Sequence, residues 1–138
     1  MKKISIICFL AFLGVFLACN KTPEPEPKAP EIEFELQDTI EYYYDNEVKG
    51  KIVCSVDCEL PVDTVWFVVR VDPISPGQGP WKDYCLMQEQ DGKYVYVIYP
   101  YSGLDLDYYY CLSIGGWRYN TAWSNLHVHE SDLDSIAP

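Results

Sequence analysis

Residues 82–99 read KDYCLMQEQDGKYVYVIY and contain the clearest fold signal of the chain. Asp91-Gly92 stands between two strand-like stretches, and this dipeptide is a strong signal for a two-residue type I′ hairpin turn, whose twist matches that of the flanking strands. We therefore predict that a strand over 82–89 pairs with a strand over 93–99.

The chain from Glu31 onward also has a sequence pattern typical of β-strands. Short segments rich in Val, Ile, Tyr and Trp recur at roughly ten-residue spacing, and none has a helical period. Residues 31–36, EIEFEL, alternate so that Ile32, Phe34 and Leu36 share one face, which predicts an outer strand with one solvated face. We predict an all-β, about seven-stranded antiparallel sandwich, with strands near 31–36, 50–57, 63–71, 82–89, 93–99, 107–114 and 121–129.

Two segments are not assigned to strands. Residues 72–80, DPISPGQGP, contain three Pro and two Gly, so they cannot continue a strand and are expected to form a long loop that crosses between the sheets. Residues 42–44, all Tyr, extend the first strand or follow a kink, and they stay unassigned.

The N-terminus has the layout of a secretory signal. Lys2 and Lys3 precede an uncharged apolar run over 4–18, which is too short to span a bilayer, and Cys19 follows directly. Residues 16–19, FLAC, resemble the bacterial lipobox, in which a small residue precedes a Cys that is acylated. The resemblance implies a lipoprotein signal peptide over 1–18, lipidation of Cys19 and, with Asn20 next, an outer-membrane address; a plain signal cut nearby is the alternative.

A Pro-rich segment separates the signal from the strands. Residues 19–30, CNKTPEPEPKAP, carry four Pro and can form neither a helix nor a central strand. They are expected to be a polyproline-like linker reaching on the order of 30 Å from the anchor. The β-sandwich is then predicted over 31–130, with 131–138 as a flexible C-terminal tail.

The acidity of the chain excludes several classes of partner. The 138 residues include 21 Asp and Glu against ten Lys and Arg; two of these bases, Lys2 and Lys3, belong to the signal, so the remainder carries a net charge of −13 with both His neutral. Nucleic-acid binding depends on clustered Lys and Arg, which are few and scattered here. An acidic domain is also not attracted to anionic lipid, so the membrane is expected as a partner only through the N-terminal lipid.

Three residues carry a resemblance to the immunoglobulin superfamily. Cys54 lies in an alternating segment, Trp66 comes twelve residues later, and Cys111 comes 57 residues after Cys54 at the end of DLDYYYC. In that superfamily two Cys on different sheets bracket a Trp, and a corner Tyr precedes the second Cys. Over about residues 31–130, the resemblance implies that Cys54 and Cys111 join the sheets, that Trp66 packs on the bridge, and that Tyr109 is the corner Tyr.

The same strand also resembles that of fibronectin type III domains, a related sandwich, in a register shifted by one residue. Because strand residues alternate, Cys111 cannot point inward together with Tyr110 and Leu112 unless a bulge intervenes. Hydrophobicity favours the fibronectin register, while the Cys, Trp and Cys spacing favours the immunoglobulin one. The inward set of the fibronectin register comprises Leu104, Leu106, Tyr110, Leu112 and Ile114.

Four cysteines remain in the mature chain if Cys8 is removed and Cys19 is acylated. Four Cys in an oxidising envelope compartment permit three pairings. The immunoglobulin resemblance implies a disulfide between Cys54 and Cys111, and the preferred set adds a second disulfide between Cys58 and Cys85. Four reduced, buried thiols are the alternative.

Residues 115–121, GGWRYNT, concentrate the residue types found at binding hot spots. We predict that they form a loop between the last two strands and that Trp117, Arg118 and Tyr119 bind the ligand. Arg118 is one of two Arg in the chain and is suited to hold an acidic ligand group. Trp123, by contrast, is expected to close the end of the core.

Other sites are less well supported by the sequence. Tyr94, Tyr96 and Ile98 share one strand face, and Val95, Val97 and Tyr99 share the other. One of these two faces, with Tyr101 nearby, could offer a second surface for a partner or for glycan stacking. His127 and His129 share a face of the last strand, but their simplest interpretation is an exposed edge rather than a metal site. No nucleophile, zinc or phosphate-loop motif occurs, so neither enzymatic activity nor a cofactor or metal is expected.

Two function classes remain. The preferred one is a non-enzymatic envelope lipoprotein whose sandwich binds an extracellular or periplasmic protein or glycan through loop-end aromatics. The other is a structural or assembly subunit of an envelope complex that binds neighbours through a sheet face or edge strand. Aromatics clustered at the loop end favour the first class, and an exposed apolar patch on a sheet favours the second.

Overall fold

Nine strands and one short helix make up most of the part of the protein that the computed structural model describes, which is residues 25–72 and 76–136. The signal over 1–18 and the lipidation site Cys19 lie outside the described residues. The elements are β1 Phe34–Tyr44, β2 Val48–Cys58, β3 Val62–Val71, β4 Trp81–Leu86, β5 Gln88–Gln90, β6 Lys93–Ile98, β7 Asp105–Ile114, β8 Trp117–Asn120, β9 Ser124–His127 and the helix α1 Glu130–Asp134.

The strands form two antiparallel sheets. Sheet A has the order β1-β2-β6-β5, and sheet B has the order β4-β3-β7-β8, with β9 pairing to the first half of β7. The side chains between the sheets form the main core, so the all-β sandwich is confirmed. Within the described residues, no helix is both long and apolar enough to cross a membrane.

The predicted hairpin at Asp91-Gly92 is present. Asp91 has φ of 51° and Gly92 has φ of 76°, as a type I′ turn requires, and Gln90 pairs with Lys93. The strand predicted over 82–89 is divided at Met87, however, because β4 pairs with β3 in sheet B while β5 pairs with β6 in sheet A. The backbone N–H of Met87 donates to the carbonyl oxygen of Val65 at 2.9 Å, so the crossing residue is itself held in place.

The loop over 72–80 does not cross between the sheets. Val71 and Trp81, at its two ends, are cross-strand partners in sheet B. The prediction of a crossover there was wrong. Pro and Gly indicate where a strand ends, but which sheet the next strand joins depends on the strand with which it pairs. The chain changes sheets at Met87 instead.

The core is built around Phe67, which is 1% exposed. Its ring lies 5.8, 5.0 and 5.9 Å from the ring centroids of Tyr96, Tyr108 and Tyr110. The alternating side chains Ile32, Phe34 and Leu36 pack at the rim of the core, as predicted, although β1 begins only at Phe34.

A carboxylate at the rim of the core ties the two sheets together. Asp38 on β1 accepts hydrogen bonds through one oxygen, Oδ2, from the hydroxyls of Tyr108 at 3.0 Å and Tyr110 at 2.8 Å on β7. Burial is the main cause that raises the pKa of Tyr108 to about 12, and burial and the bond to Asp38 raise that of Tyr110 further. Both phenols therefore remain neutral donors across the ordinary pH range.

The register of β7 follows the fibronectin pattern. Tyr110, Leu112 and Ile114 belong to the main core, while Tyr109 and Cys111 pack on the other side of sheet B, beside Trp66 and Val68. The immunoglobulin register was therefore wrong. Tyr109 is also not a corner Tyr that bonds to backbone, because its hydroxyl contacts the hydroxyl of Tyr84 at 3.3 Å.

The cysteine pairings predicted from the immunoglobulin register are absent. Cys54, Cys58, Cys85 and Cys111 are all free thiols. Cys54 points into the main core and Cys111 points away from it, so sheet B separates the two sulfurs. Cys58 and Cys85 each pack at the rim of the core without bonding to one another. Burial raises the pKa of Cys54 to about 12, which keeps that thiol protonated.

Both ends of the domain contact or adjoin the sandwich in the described residues. The hydroxyl of Tyr119 donates to the carbonyl oxygen of Pro30 at 2.9 Å, so the end of the linker lies against β8. We call this the linker end of the sandwich. At the C-terminus, residues Glu130–Asp134 form α1 and the N–H of His129 donates to Asp132 at 2.9 Å. No helical pattern had been recognised there, and the flexibility of the tail over 131–138 stays a prediction.

Candidate ligand-binding face

The outward side of sheet B carries a concentration of large rings. Strand alternation brings Tyr84 and Leu86 of β4, Trp66 of β3 and Tyr109 of β7 to this side. Trp123, between β8 and β9, packs on the ring of Tyr109. We call this surface the aromatic face and define it by Trp66, Lys82, Tyr84, Leu86, Tyr109, Arg118 and Trp123.

Much of the aromatic face is open to solvent. Tyr84 is 50%, Leu86 is 56% and Trp123 is 50% exposed. Beneath them, Val68, Tyr109 and Cys111 are buried and form a second, smaller core on the outside of sheet B. The exposed rings therefore rest on a packed layer, and large exposed apolar groups held in this way are typical of binding surfaces.

One half of the face is centred on Trp123. Its ring meets that of Tyr109 edge to face, with centroids 4.6 Å apart. The ammonium of Lys82 lies 5.2 Å from the centroid of Tyr109 and 5.6 Å from that of Trp123, within the range of cation–π attraction. Burial is the main cause that raises the pKa of Tyr109 to about 12, so its hydroxyl stays protonated.

The other half is a small hollow beside Trp66. The guanidinium carbon of Arg118 lies 5.4 Å from the centroid of the Trp66 ring. Trp66, Tyr84, Cys111 and Arg118 surround a hollow of about 140 Å³. A cavity of ~150 Å³ accommodates a benzene ring, so this hollow has room for one six-membered ring.

The thiol of Cys111 forms the floor of this hollow and is not a nucleophile. Burial raises its pKa, and the nearby Arg118 only partly opposes that rise. A protonated, nearly buried thiol behaves as a small apolar group.

The outward side of sheet A has a different chemistry. One shallow depression is lined by charged and polar side chains, Glu41, Lys51, Lys93 and Gln90, together with Val95. A second depression of about 470 Å³ adjoins it and is lined in part by Tyr42, Tyr43 and Val97. Sheet B differs because it combines half-exposed rings with two basic side chains that lie over aromatic rings.

The three predicted site residues do not form one loop. Gly115 and Gly116, with φ of 59° and 83°, form a two-residue turn, and Trp117–Asn120 is strand β8. Alternation sends Arg118 to the aromatic face but Tyr119 towards the core, where its ring meets that of Phe34 at 6.4 Å. Trp117 shares the side of Tyr119, so of the three predicted residues only Arg118 contributes to the aromatic face.

Two further aromatic predictions concern β6 and Trp123. Tyr94 and Tyr96 point into the sandwich, where the Tyr94 hydroxyl donates to the carbonyl of Val62 at 3.2 Å and Tyr96 packs on Phe67. That face therefore forms no outer surface, whereas Val97 and Tyr99 of the opposite face are 36% and 62% exposed, so a second surface there stays a prediction. The prediction that Trp123 closes the end of the core was wrong, because Trp123 is half exposed and its ring rests on Tyr109 on the outward side of sheet B.

The two histidines lie together at the far end of sheet B. Their rings are 4.6 Å apart, and His127 Nδ1 lies 3.7 Å from a carboxylate oxygen of Asp105. Within residues 25–72 and 76–136, no three His, Cys, Asp or Glu side chains are placed to hold a metal ion.

The sequence signal for the aromatic face was the alternation in β4. Lys82, Tyr84 and Leu86 recur every second residue on an edge strand, and all three are exposed. The sequence did not indicate which side of β3 Trp66 occupies, because β3 is apolar on both sides and therefore shows no alternation of polar and apolar residues.

No protein family matches the chain, and no curated protein matches it significantly. Among solved structures, a bromine derivative of the carbohydrate-binding module BhCBM56 is similar over its whole length and over 72% of this chain, at 17% identity and a TM-score of 0.47. At this degree of likeness the comparison carries no information on a ligand.

Proposed function

We propose that the protein is an envelope-anchored lipoprotein whose immunoglobulin-like sandwich is a non-enzymatic binding domain, and that it binds a glycan through the aromatic face. The observation that carries this proposal is the pair of half-exposed rings of Tyr84 and Trp123, together with the partly buried ring of Trp66, held on a packed sheet beside Lys82 and Arg118.

The arrangement of the rings favours a sugar chain. Sugar rings present C–H groups that pack on aromatic faces, while their hydroxyls seek polar neighbours at the same level. On this face, rings stand in successive rows of an antiparallel sheet, and rows on one side lie roughly 7 Å apart along a strand. Because the sheet fixes this spacing, an extended chain could contact two rings without ordering a loop.

The proposed anchor determines how the face is presented. The end of the linker lies against β8 at the linker end of the sandwich, near the Gly115-Gly116 turn. With Cys19 lipidated, that end would point to the membrane, and the aromatic face would stand beside the tether rather than at its tip. This placement suits a ligand that extends along the surface.

Replacing Trp123 with alanine is expected to weaken glycan binding about tenfold, because one half-exposed stacking ring contributes over ~1 kcal/mol at a hot spot. The measurement is binding of the purified full-length protein in detergent to a panel of polysaccharides, with the melting temperature recorded for each variant. Tyr84→Ala is a second variant, since its edge-strand ring supports little else.

Trp81→Ala is the matched control for Trp123→Ala. Trp81 is 46% exposed, but alternation places it on the opposite side of β4 from Tyr84. We expect this variant to bind normally. Equal losses for Trp81→Ala and Trp123→Ala, or a wild-type protein that binds no polysaccharide, would refute the proposed function.

Replacing Cys19 with serine is expected to release the protein from membrane fractions, because serine has no thiol through which the lipid can be attached. Fractionation of cells and mass spectrometry of the mature N-terminus measure the effect, with Cys8→Ser as the control within the signal. A Cys19→Ser protein that stays in the membrane would refute the anchor.

One observation favours assembly with a protein instead. Leu86 is 56% exposed on β4, an edge strand, and an exposed apolar edge can pair with a strand of a partner. In that case Leu86→Lys would abolish association with an envelope partner, and Trp123→Ala would leave that association intact.

A further inference from the structure

The basic residues of the aromatic face lack the acidic partners that the composition would lead one to expect. The described residues contain two ion pairs of Lys or Arg with a carboxylate, which are Lys49 with Asp45 and Arg70 with Asp72, and a contact of His127 with Asp105 at 3.7 Å. Lys82 and Arg118 belong to none of them, although the chain has 21 acidic residues. Each cation instead lies over aromatic rings.

The centre of the face is also free of acidic side chains. Its two central rows, Tyr84-Val68-Tyr109 and Leu86-Trp66-Cys111, contain none. Asp105 and Asp107 lie in the rows beyond Tyr109, where both accept hydrogen bonds from the side-chain amide of Asn125. Asp72, which follows β3, is paired with Arg70, the cross-strand partner of Lys82. The centre is therefore a positive spot on a strongly acidic protein.

Arg118 is prepared to receive an anion. Its side chain is exposed, and no hydrogen bond from the described residues engages its guanidinium. Cation–π attraction to the Trp66 ring, whose centroid is 5.4 Å from the guanidinium carbon, favours this position of the side chain, so less freedom is lost when an anion binds. A planar fork of donors matches the two oxygens of a carboxylate.

We propose that the ligand of the aromatic face is an acidic polysaccharide containing uronate residues, with Arg118 holding a carboxylate beside the sugar ring in the hollow at Trp66. This inference rests on the proposed glycan-binding function and narrows its ligand. Lys82 supplies a second positive charge near Trp123, which allows two acidic units of one chain to be held.

The test measures binding of the full-length protein to polygalacturonate, alginate and hyaluronate, each beside its methyl-esterified form. Esterification removes the charge and keeps the ring, so we expect at least one acid form to bind about tenfold more tightly than its ester. Arg118→Gln should reduce that preference to about twofold, and Arg118→Lys should retain part of it. Lys93→Gln, which removes one positive charge from the outward side of sheet A, should leave the preference unchanged.

The outcomes separate this inference from the function on which it rests. Equal binding of acid and ester forms, or binding of neutral dextran alone, would overturn the inference and leave glycan binding intact. Binding of dextran sulfate without any uronate would overturn the carboxylate assignment. An equal loss of preference in Lys93→Gln and Arg118→Gln would show that overall charge and not Arg118 selects the ligand, and absence of binding to every polysaccharide would refute both proposals.

Discussion

Replacing Phe67 with alanine is expected to destabilise the domain by about 3–5 kcal/mol, which is a large share of the 5–15 kcal/mol typical of a native domain. The side chain is 1% exposed and touches the rings of Tyr96, Tyr108 and Tyr110, which come from both sheets. Those rings are anchored on their own strands and cannot collapse fully into the space left behind. The melting temperature should fall by roughly 10–30 °C.

Urea unfolding measures this effect, with a lower midpoint and an unchanged slope as the expected signature. Phe34→Ala is the matched control, because Phe34 lies half-buried near the start of the edge strand β1. We expect its loss to be much smaller. Losses of equal size at Phe67 and Phe34 would contradict a core centred on Phe67.

Replacing Asp38 with alanine is expected to cost about 2–3 kcal/mol. The change leaves two phenol hydroxyls without their acceptor, and hydrogen bonds to charged groups contribute ~1.5–3 kcal/mol each. The carboxylate is partly open to solvent, so the total should stay below the sum of two such bonds. Asp38→Asn keeps an oxygen acceptor and should lose less.

A double-mutant cycle between Asp38→Ala and Tyr110→Phe isolates this contact from other effects. We expect a coupling of more than about 1 kcal/mol in chemical unfolding. Glu41→Ala is the control, because Glu41 lies on the same strand but faces solvent on the outward side of sheet A. Additive losses in the cycle would mean that the contact does not tie the sheets.

Local chemistry made the hairpin and the first strand predictable. Asp91-Gly92 specifies positive φ at two successive positions, and few turns other than type I′ require that. The alternation of Ile32, Phe34 and Leu36 with three glutamates identified the buried side without any knowledge of the partner strand. In both cases the information lies within a few neighbouring residues.

The register of β7 was not predictable from its pattern. Tyr108 to Leu112 are five consecutive buried residues, since one side faces the main core and the other lies beneath the aromatic face. A strand covered on both sides shows no alternation, so Cys111 could be assigned inward by its spacing alone. The disulfide prediction failed for this reason.

The candidate site was found only in part, because a turn was missed. Gly115-Gly116 is itself a two-residue hairpin signal, and counting it as such would have made Trp117–Asn120 a strand with alternating sides. Arg118 would then have been separated from Trp117 and Tyr119. Its position over Trp66 depends on pairing between β3, β7 and β8, which are distant in sequence.

The passage of the chain through Met87 has a consequence for how the domain comes apart. A single residue joins β4 in one sheet to β5 in the other, and its side chain is 4% exposed while its N–H is bonded to Val65. Because this connection is one residue long, neither sheet can separate from the other without disrupting β4 or β5. We therefore expect the two sheets to unfold together as one cooperative unit rather than one after the other.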